Sequence, residues 1–152
     1  MEIRETATKT TTLSQQIARL SMRTSPRQFH DFTRELAGWL RNISAGDGLL
    51  TVFVRHTSAS LTIQENADPD VQRDLLDALD GIAPENAGYR HSTEGPDDMP
   101  AHIKAMVTST NLSIPVLGGS MDLGTWQGVY LIEHRATPHE RSVALVYQGS
   151  TD

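Results

Sequence analysis

Hydrophobic residues at helical spacing predict two amphipathic helices in the first half of this chain. The first carries Phe32, Leu36, Trp39, Leu40 and Ile43, and we expect Asp31 to cap it and the glycines at 46 and 48 to end it. The second is expected to begin at Asp68, with Pro69 in its first turn, and to end near Gly81. Its inward-facing residues are predicted to be Val71, Leu75, Leu76 and Leu79.

Alternating polar and apolar residues, or short β-branched runs, predict strands elsewhere. These segments are 3–13, 16–23, 49–54, 61–63, 112–116, 128–133 and 142–147. The first two strands are expected to pair with each other in antiparallel fashion. The last two are expected to form a second antiparallel pair around Thr137–Pro138–His139.

The segment 83–100 is rich in proline, glycine and polar residues, which predicts an ordered loop rather than a linker. Loops of this length inside one domain often carry function. Pro100 is expected to open a short helix with His102 in its first turn, where the helix dipole favours an anion. The residues of this helix expected to be buried are Ile103, Met106 and Val107.

Length and composition narrow the class of protein. A chain of 152 residues fits one domain, spanning 1–152. The absence of cysteine excludes disulfides and thiolate ligands and leaves histidine and carboxylates to hold any metal. A net charge of −6 without a basic stripe argues against a nucleic-acid partner. No signal pattern and no run of ~20 apolar residues is present, so we expect a cytoplasmic protein without a membrane partner.

Three histidines in the middle of the chain are the main candidates for chemistry. His56, His91 and His102 each lie in a short polar motif beside a turn or a helix start. Three neutral imidazoles hold a divalent metal and leave a position open, as in catalytic zinc sites. Their spacing matches no compact zinc signature. Each histidine taken singly is better explained as a hydrogen-bonded turn or core residue.

Polar residues near these histidines supply further candidates. The hydroxyls of Thr57 and Ser58 either hold a phosphate or form a turn, and no Gly-x-Ser-x-Gly elbow supports a serine nucleophile. Glu65 and Asn66 have no simple structural explanation. Asp98 either acts beside the histidines or caps the helix that follows it.

Several motifs taken together resemble the YjbQ family, also described as the secondary thiamine-phosphate synthase family. They are Tyr-Arg-His at 89–91, Glu-Gly at 94–95, Asp-Asp-Met-Pro-Ala-His-Ile-Lys at 97–104, Gly-Thr-Trp-Gln-Gly at 124–128 and Glu-His-Arg at 133–135, with His-Thr-Ser at 56–58 and Glu-Asn-Ala-Asp-Pro at 65–69. The resemblance implies an α+β fold with β-sandwich-like antiparallel or mixed sheets flanked by two or three helices. It also implies a homotrimer. His134 departs from the pattern, because many relatives carry Phe there.

The resemblance implies an enzyme that joins hydroxymethylpyrimidine diphosphate to thiazole phosphate and releases pyrophosphate. It also implies that His56, His91 and His102 belong to one polar pocket, with Glu65, Asn66, Asp98, Lys104 and Gln127 as neighbours. We expect a divalent metal, zinc or magnesium, on the three histidines and catalytic roles for His91, Asp98 and Glu65. The residues expected to bind a small phosphorylated metabolite or anion are Thr57, Ser58, Asn66, Lys104 and Gln127. Two alternatives remain: a metal-dependent hydrolase of a phosphorylated small molecule, and a trimeric metabolite-binding protein without turnover.

Overall fold

The structure, a computed structural model, describes residues 10–151. Its helices are α1 (Thr33–Asn42), α2 (Pro69–Ile82) and α3 (Asp98–Val107). Its strands are β1 (Ser14–Arg23), β2 (Gln28–Asp31), β3 (Ala45–Val54), β4 (Ala59–Glu65), β5 (Asn111–Leu117), β6 (Ser120–Met121), β7 (Gln127–Glu133) and β8 (Glu140–Thr151). The predicted α+β class with two or three helices is confirmed, and the described residues form three.

The strands form two antiparallel sheets. The larger has the order β1-β8-β3-β5-β6, and the smaller has the order β2-β7-β4. Side chains from both sheets and from α1 meet in one apolar core, in which Leu36, Leu50, Leu61, Leu131 and others are fully buried. The sheets therefore pack face to face, as in a β-sandwich.

Strand β7 is buried on both faces, which explains its continuous apolar sequence. Val129 and Leu131 face the main core. Tyr130 and Ile132 point to the opposite face, where Leu75 and Leu76 of α2 pack against them. Helix α2 thus covers the outer face of the smaller sheet, and its predicted inward residues are half-buried. The predicted cap is confirmed, since an Asp68 carboxylate oxygen accepts from the Asp70 backbone N–H at 2.9 Å.

The predicted hairpin between the last two long strands is wrong. Strand β7 pairs with β2 and β4, whereas β8 pairs with β1 and β3 in the other sheet. Each of these strands is central in its sheet and is paired along both edges, so β7 and β8 cannot pair with each other. The chain therefore crosses from the smaller sheet to the larger one after Glu133. Strand β1 pairs with β8 along its whole length. Most of the segment 3–13, the predicted partner of β1, lies outside the described residues.

Two helix boundaries also differ from expectation. Residues 45–48 begin β3 instead of ending α1, because the chain reverses at Ser44, which has a positive φ of 50°. Helix α3 begins at Asp98, two residues before Pro100, so His102 lies in its second turn. Met106 and Val107 are exposed rather than buried, because the inward face of α3 carries Pro100, Ala101, Lys104 and Ala105.

Within residues 10–151, none of the three helices has the length and apolar character needed to cross a bilayer.

Candidate functional site

His91, Asp98 and His102 converge at the start of α3. His91 comes from the loop between α2 and α3, Asp98 is the first residue of α3, and His102 lies four residues further on the same helical face. One potential ligand atom from each residue lies within 4.8 Å of the other two. We call these three residues the triad. Asp98 is the buried member, with its side chain 6% exposed, while both imidazoles are accessible from solvent.

One carboxylate oxygen of Asp98 faces both histidines. Asp98 Oδ2 lies 2.8 Å from His91 Nε2 and 3.2 Å from His102 Nε2. The other oxygen, Oδ1, accepts a hydrogen bond from Arg135 Nη1. Burial alone would raise the pKa of Asp98, but the hydrogen bond from His91 and the charge of Arg135 lower it below its ordinary value. Asp98 is therefore an ionised carboxylate that offers an oxygen to the imidazoles.

The backbone fixes the tautomer of His102. Its Nδ1 lies 3.0 Å from the carbonyl oxygen of Thr57, and a carbonyl only accepts hydrogen bonds. The proton of the neutral ring must then be on Nδ1, which leaves the lone pair on Nε2, the atom facing Asp98. A ring nitrogen held by a backbone carbonyl while the other binds is the usual support of a metal-ligating histidine.

Arg135 holds the loop that presents the triad. Besides Asp98, its guanidinium donates to Asp97 Oδ2 at 2.9 Å and to the Glu94 carbonyl at 2.8 Å. Burial would raise the pKa of Asp97, yet the hydrogen bonds from Arg135 and from the Ala136 N–H lower it. One cation thus pairs with two adjacent carboxylates and ties the end of β7 to the start of α3.

His56 lies outside the triad, contrary to the expected set of three histidines. Its Nε2 accepts a hydrogen bond from the Ser142 backbone N–H at 2.8 Å. A backbone N–H only donates, so Nε2 has no proton and its lone pair is occupied. Burial, followed by the charge of Arg141, lowers the pKa of His56 and favours the neutral ring with its proton on Nδ1. In this arrangement His56 has no free lone pair for a metal.

Three other expected neighbours of the triad lie at the opposite end of the smaller sheet. Glu65 pairs with Gln127, and Ala59 pairs with Glu133, next to Arg135. Six residues at ~3.3 Å each separate these ends by about 20 Å. Glu65 and Gln127 instead line a separate cavity with Trp126, and Asn66 follows directly. Within one chain these residues do not share a site with the triad.

The remaining residues expected to bind the ligand are Lys104, Ser58 and Thr57. Lys104 is buried and forms an ion pair with Asp80 of α2, away from the triad. Ser58 is buried, and its hydroxyl accepts from Arg141 Nη2 at 3.1 Å. Thr57 contributes its carbonyl to His102, and its side chain is exposed. Of these three residues, only Thr57 adjoins the triad.

Comparison with known proteins agrees with the fold and with the family resemblance. The family model described as UPF0047 protein YjbQ-like matches residues 18–150. The chain belongs to the YjbQ family. A UPF0047 protein of Synechocystis sp. is 50% identical over 131 residues, which cover 86% of this chain and 89% of that protein. The UPF0047 protein YjbQ of Salmonella typhimurium is 42% identical, covering 86% and 95% of the two chains.

Solved structures of similar proteins have the same fold. A YjbQ/UPF0047 family protein from Clostridium acetobutylicum superimposes with a TM-score of 0.79 at 39% identity, covering 86% of this chain and 98% of that one. A hypothetical protein from Aeropyrum pernix gives a TM-score of 0.81 at 29% identity, covering 89% and 99%. The YjbQ fold therefore extends over nearly the whole described chain.

The site of this YjbQ-family chain includes one residue to which the sequence analysis gave no role, Arg135. Two signals in the sequence point to it: adjacent acids at 97 and 98 need a counter-charge if they are buried together, and Arg135 lies in the Glu-His-Arg motif at 133–135. Neither signal pairs Arg135 with these two acids, because it is distant from both in sequence.

A pH titration of stability tests the burial of His134 in this YjbQ-family chain. Burial, with a smaller effect of Lys104, lowers the pKa of His134 from 6.5 to about 4. Between these pH values the unfolded chain binds the proton and the folded chain does not, so stability falls as the pH drops from 6.5 towards 4. The loss from this group is about 3 kcal/mol. Urea unfolding of the wild-type protein and of His134→Phe at several pH values should show a smaller loss in the variant; parallel curves would contradict the burial.

Proposed function

We propose that the triad binds a divalent metal ion and that this metal centre acts on a phosphorylated small molecule. The observation that supports the proposal most strongly is the tautomer of His102, whose Nε2 lone pair is directed by the backbone towards Asp98 Oδ2. His91 completes a set of two imidazoles and one carboxylate. The donors come from a single protein face that is open to solvent, so water or substrate has room to complete the coordination.

The donor set favours zinc over magnesium. Zinc is bound by imidazole nitrogen and carboxylate oxygen at ~2.0–2.1 Å, which places neighbouring ligand atoms about 3.3 Å apart. The distances from Asp98 Oδ2 to the two imidazole nitrogens, 2.8 and 3.2 Å, approach that separation. Magnesium prefers oxygen ligands and would find only one here.

For the reaction we propose the one that the family resemblance implies, the joining of hydroxymethylpyrimidine diphosphate to thiazole phosphate. When bound, the metal would supply a positive charge for the pyrophosphate that leaves. His91, His102 and Asp98 would hold that metal. Arg135 would keep Asp98 ionised and oriented. Hydrolysis of a phosphorylated metabolite, the alternative reaction, needs the same residues with water in place of the thiazole.

An assay with purified protein tests the reaction. The zinc-loaded protein, given both substrates, should form thiamine phosphate and pyrophosphate in equal amounts, and a chelator should abolish the product. Pyrimidine alcohol formed without thiamine phosphate would assign the hydrolase instead. The absence of any turnover with zinc, magnesium or manganese would contradict an enzyme with this substrate.

We further propose that the chain assembles as a homotrimer, as the family resemblance implies. The outer face of the larger sheet supports self-association, because it exposes the large apolar side chains of Ile17, Leu49 and Leu117 with relative exposures of 69, 40 and 45%. Light scattering coupled to gel filtration should give about three times the chain mass of 16.7 kDa. A mass equal to one chain at micromolar concentration would contradict the assembly.

A further inference from the structure

A groove of about 600 Å³ opens where β3 ends and β4 begins. We call it the β3–β4 groove. Its polar lining consists of Arg55, His56, Thr57, Ser58, Thr110 and Arg141, and no carboxylate is among the residues that line it. The chain as a whole has a net charge of −6, so a basic groove is a local departure from the character of the protein.

Arg55 provides a positive charge in this groove that is not paired with a carboxylate of the described residues. Its side chain is exposed and has no hydrogen bond or ion pair with any residue in the described range 10–151. By contrast, Arg27, Arg135 and Arg141 each pair with a carboxylate. The hydroxyls of Thr57 and Thr110 also lack a partner among the described side chains and backbone groups. A guanidinium and nearby hydroxyls are a common combination at phosphate sites.

His56 contributes a hydrogen-bond donor to the same groove. Because its Nε2 accepts from the Ser142 N–H, the neutral ring carries its proton on Nδ1. The same bond fixes the ring at the start of β8. His102 is the same tautomer, but its backbone contact is at Nδ1, so its Nε2 is free to bind a metal. The protein backbone thus makes one histidine a donor and the other a ligand.

Glu133, the acid paired with Arg141 of the groove, does not repel an anion bound there. Glu133 is fully buried, and Arg141 Nε and Thr24 Oγ1 donate to its carboxylate at 2.7 and 2.6 Å. The charge of Glu133 is therefore compensated within the protein. Arg55 remains as the uncompensated charge at the surface of the groove.

We propose that the β3–β4 groove binds a phosphate group, with Arg55, the His56 Nδ1–H and the hydroxyls of Thr57 and Thr110 as donors. Phosphate binding here does not require the metal. Its use as the subsite for a substrate phosphate rests on the proposed function, and the backbone of Thr57 connects the two places, since the Thr57 carbonyl holds His102. The ligand is thus a small molecule with one phosphate in the groove and its reacting bond at the triad.

Binding of inorganic phosphate, followed by NMR on the ¹⁵N-labelled full-length protein after passage over a chelating resin, tests the proposal. Amide shifts of residues 55–58, 110 and 142 should change with phosphate concentration. Arg55→Gln should raise the apparent Kd about tenfold, the effect of losing a hydrogen bond to a charged group. Arg55→Lys, which keeps the charge but not the planar fork, should raise it less.

Arg34→Gln is the matched control, because Arg34 is an exposed arginine on α1 and its loss changes the net charge equally. The control should leave the Kd unchanged. Equal weakening by Arg34→Gln and Arg55→Gln, or shifts outside the groove, would overturn the proposal. Phosphate binding that appears only after zinc is added would also overturn the groove proposal, but it would not contradict the proposed metal centre. Binding in the groove without any zinc uptake by the triad would contradict the proposed function alone.

Discussion

Replacing Arg141 by methionine is expected to lower the free energy of unfolding by about 3–5 kcal/mol. Arg141 and Glu133 are both buried, and Arg141 Nε donates to Glu133 Oε2 at 2.7 Å. Burial alone would raise the pKa of Glu133, and hydrogen bonds from Arg141 and Thr24 lower it, so the carboxylate is ionised inside the protein. Methionine fills part of the same volume but leaves that charge without its main partner. Urea unfolding at neutral pH measures the loss.

The double variant Arg141→Met/Glu133→Leu provides the control. It removes both charges, so it should recover a substantial part of the stability lost in Arg141→Met. A double variant that is less stable than the single variant would show that packing by Arg141, rather than its charge, accounts for the effect. A single variant within 1 kcal/mol of wild type would contradict the buried ion pair.

Replacing either triad histidine by alanine is expected to reduce turnover by at least about 100-fold. Each change removes one of two imidazole ligands, and even the loss of a residue that only supports a ligand costs 10–100-fold in metal affinity or activity. The zinc content of the purified His91→Ala and His102→Ala proteins should fall in parallel with their turnover. The measurements are metal analysis and thiamine phosphate formation on the same samples.

His30→Ala is the matched control, because His30 lies on β2 and its ring contacts Ser25 rather than the triad. It should keep both zinc and turnover. Adding excess zinc should partly restore turnover in His91→Ala, whose lost ligand comes from the loop, if the defect is one of affinity. Full activity of both alanine variants without zinc would contradict the metal centre.

The local elements were largely predictable because their signals lie within a few residues. The spacing of Leu36 and Leu40 and the capping sequence at Asp68 identified α1 and α2. The sheet pairing was not predictable in the same way. Strands β7 and β8 are close in sequence but belong to different sheets, because each lies between two strands that are distant in the chain. Strand β2 has four residues, too few to show an alternation of polar and apolar residues in the sequence.

The site was predictable only in part, for a similar reason. His91, Asp98 and His102 are close in sequence, and one helical turn relates the last two. Residue type alone groups His56 with them, but the role of a histidine depends on which backbone group meets each ring nitrogen. That contact is made by Ser142 for His56 and by Thr57 for His102, both distant in sequence. No spacing rule contains this information.

X-ray absorption at the zinc edge, on protein loaded with one equivalent of zinc, tests the central claim most directly. We predict one zinc per chain bound by two imidazole nitrogens and a carboxylate oxygen at ~2.0–2.1 Å. The imidazole signal should disappear in the double variant His91→Ala/His102→Ala. A protein that takes up no zinc at equimolar concentration, or a double variant with an unchanged spectrum, would contradict a metal centre at the start of α3.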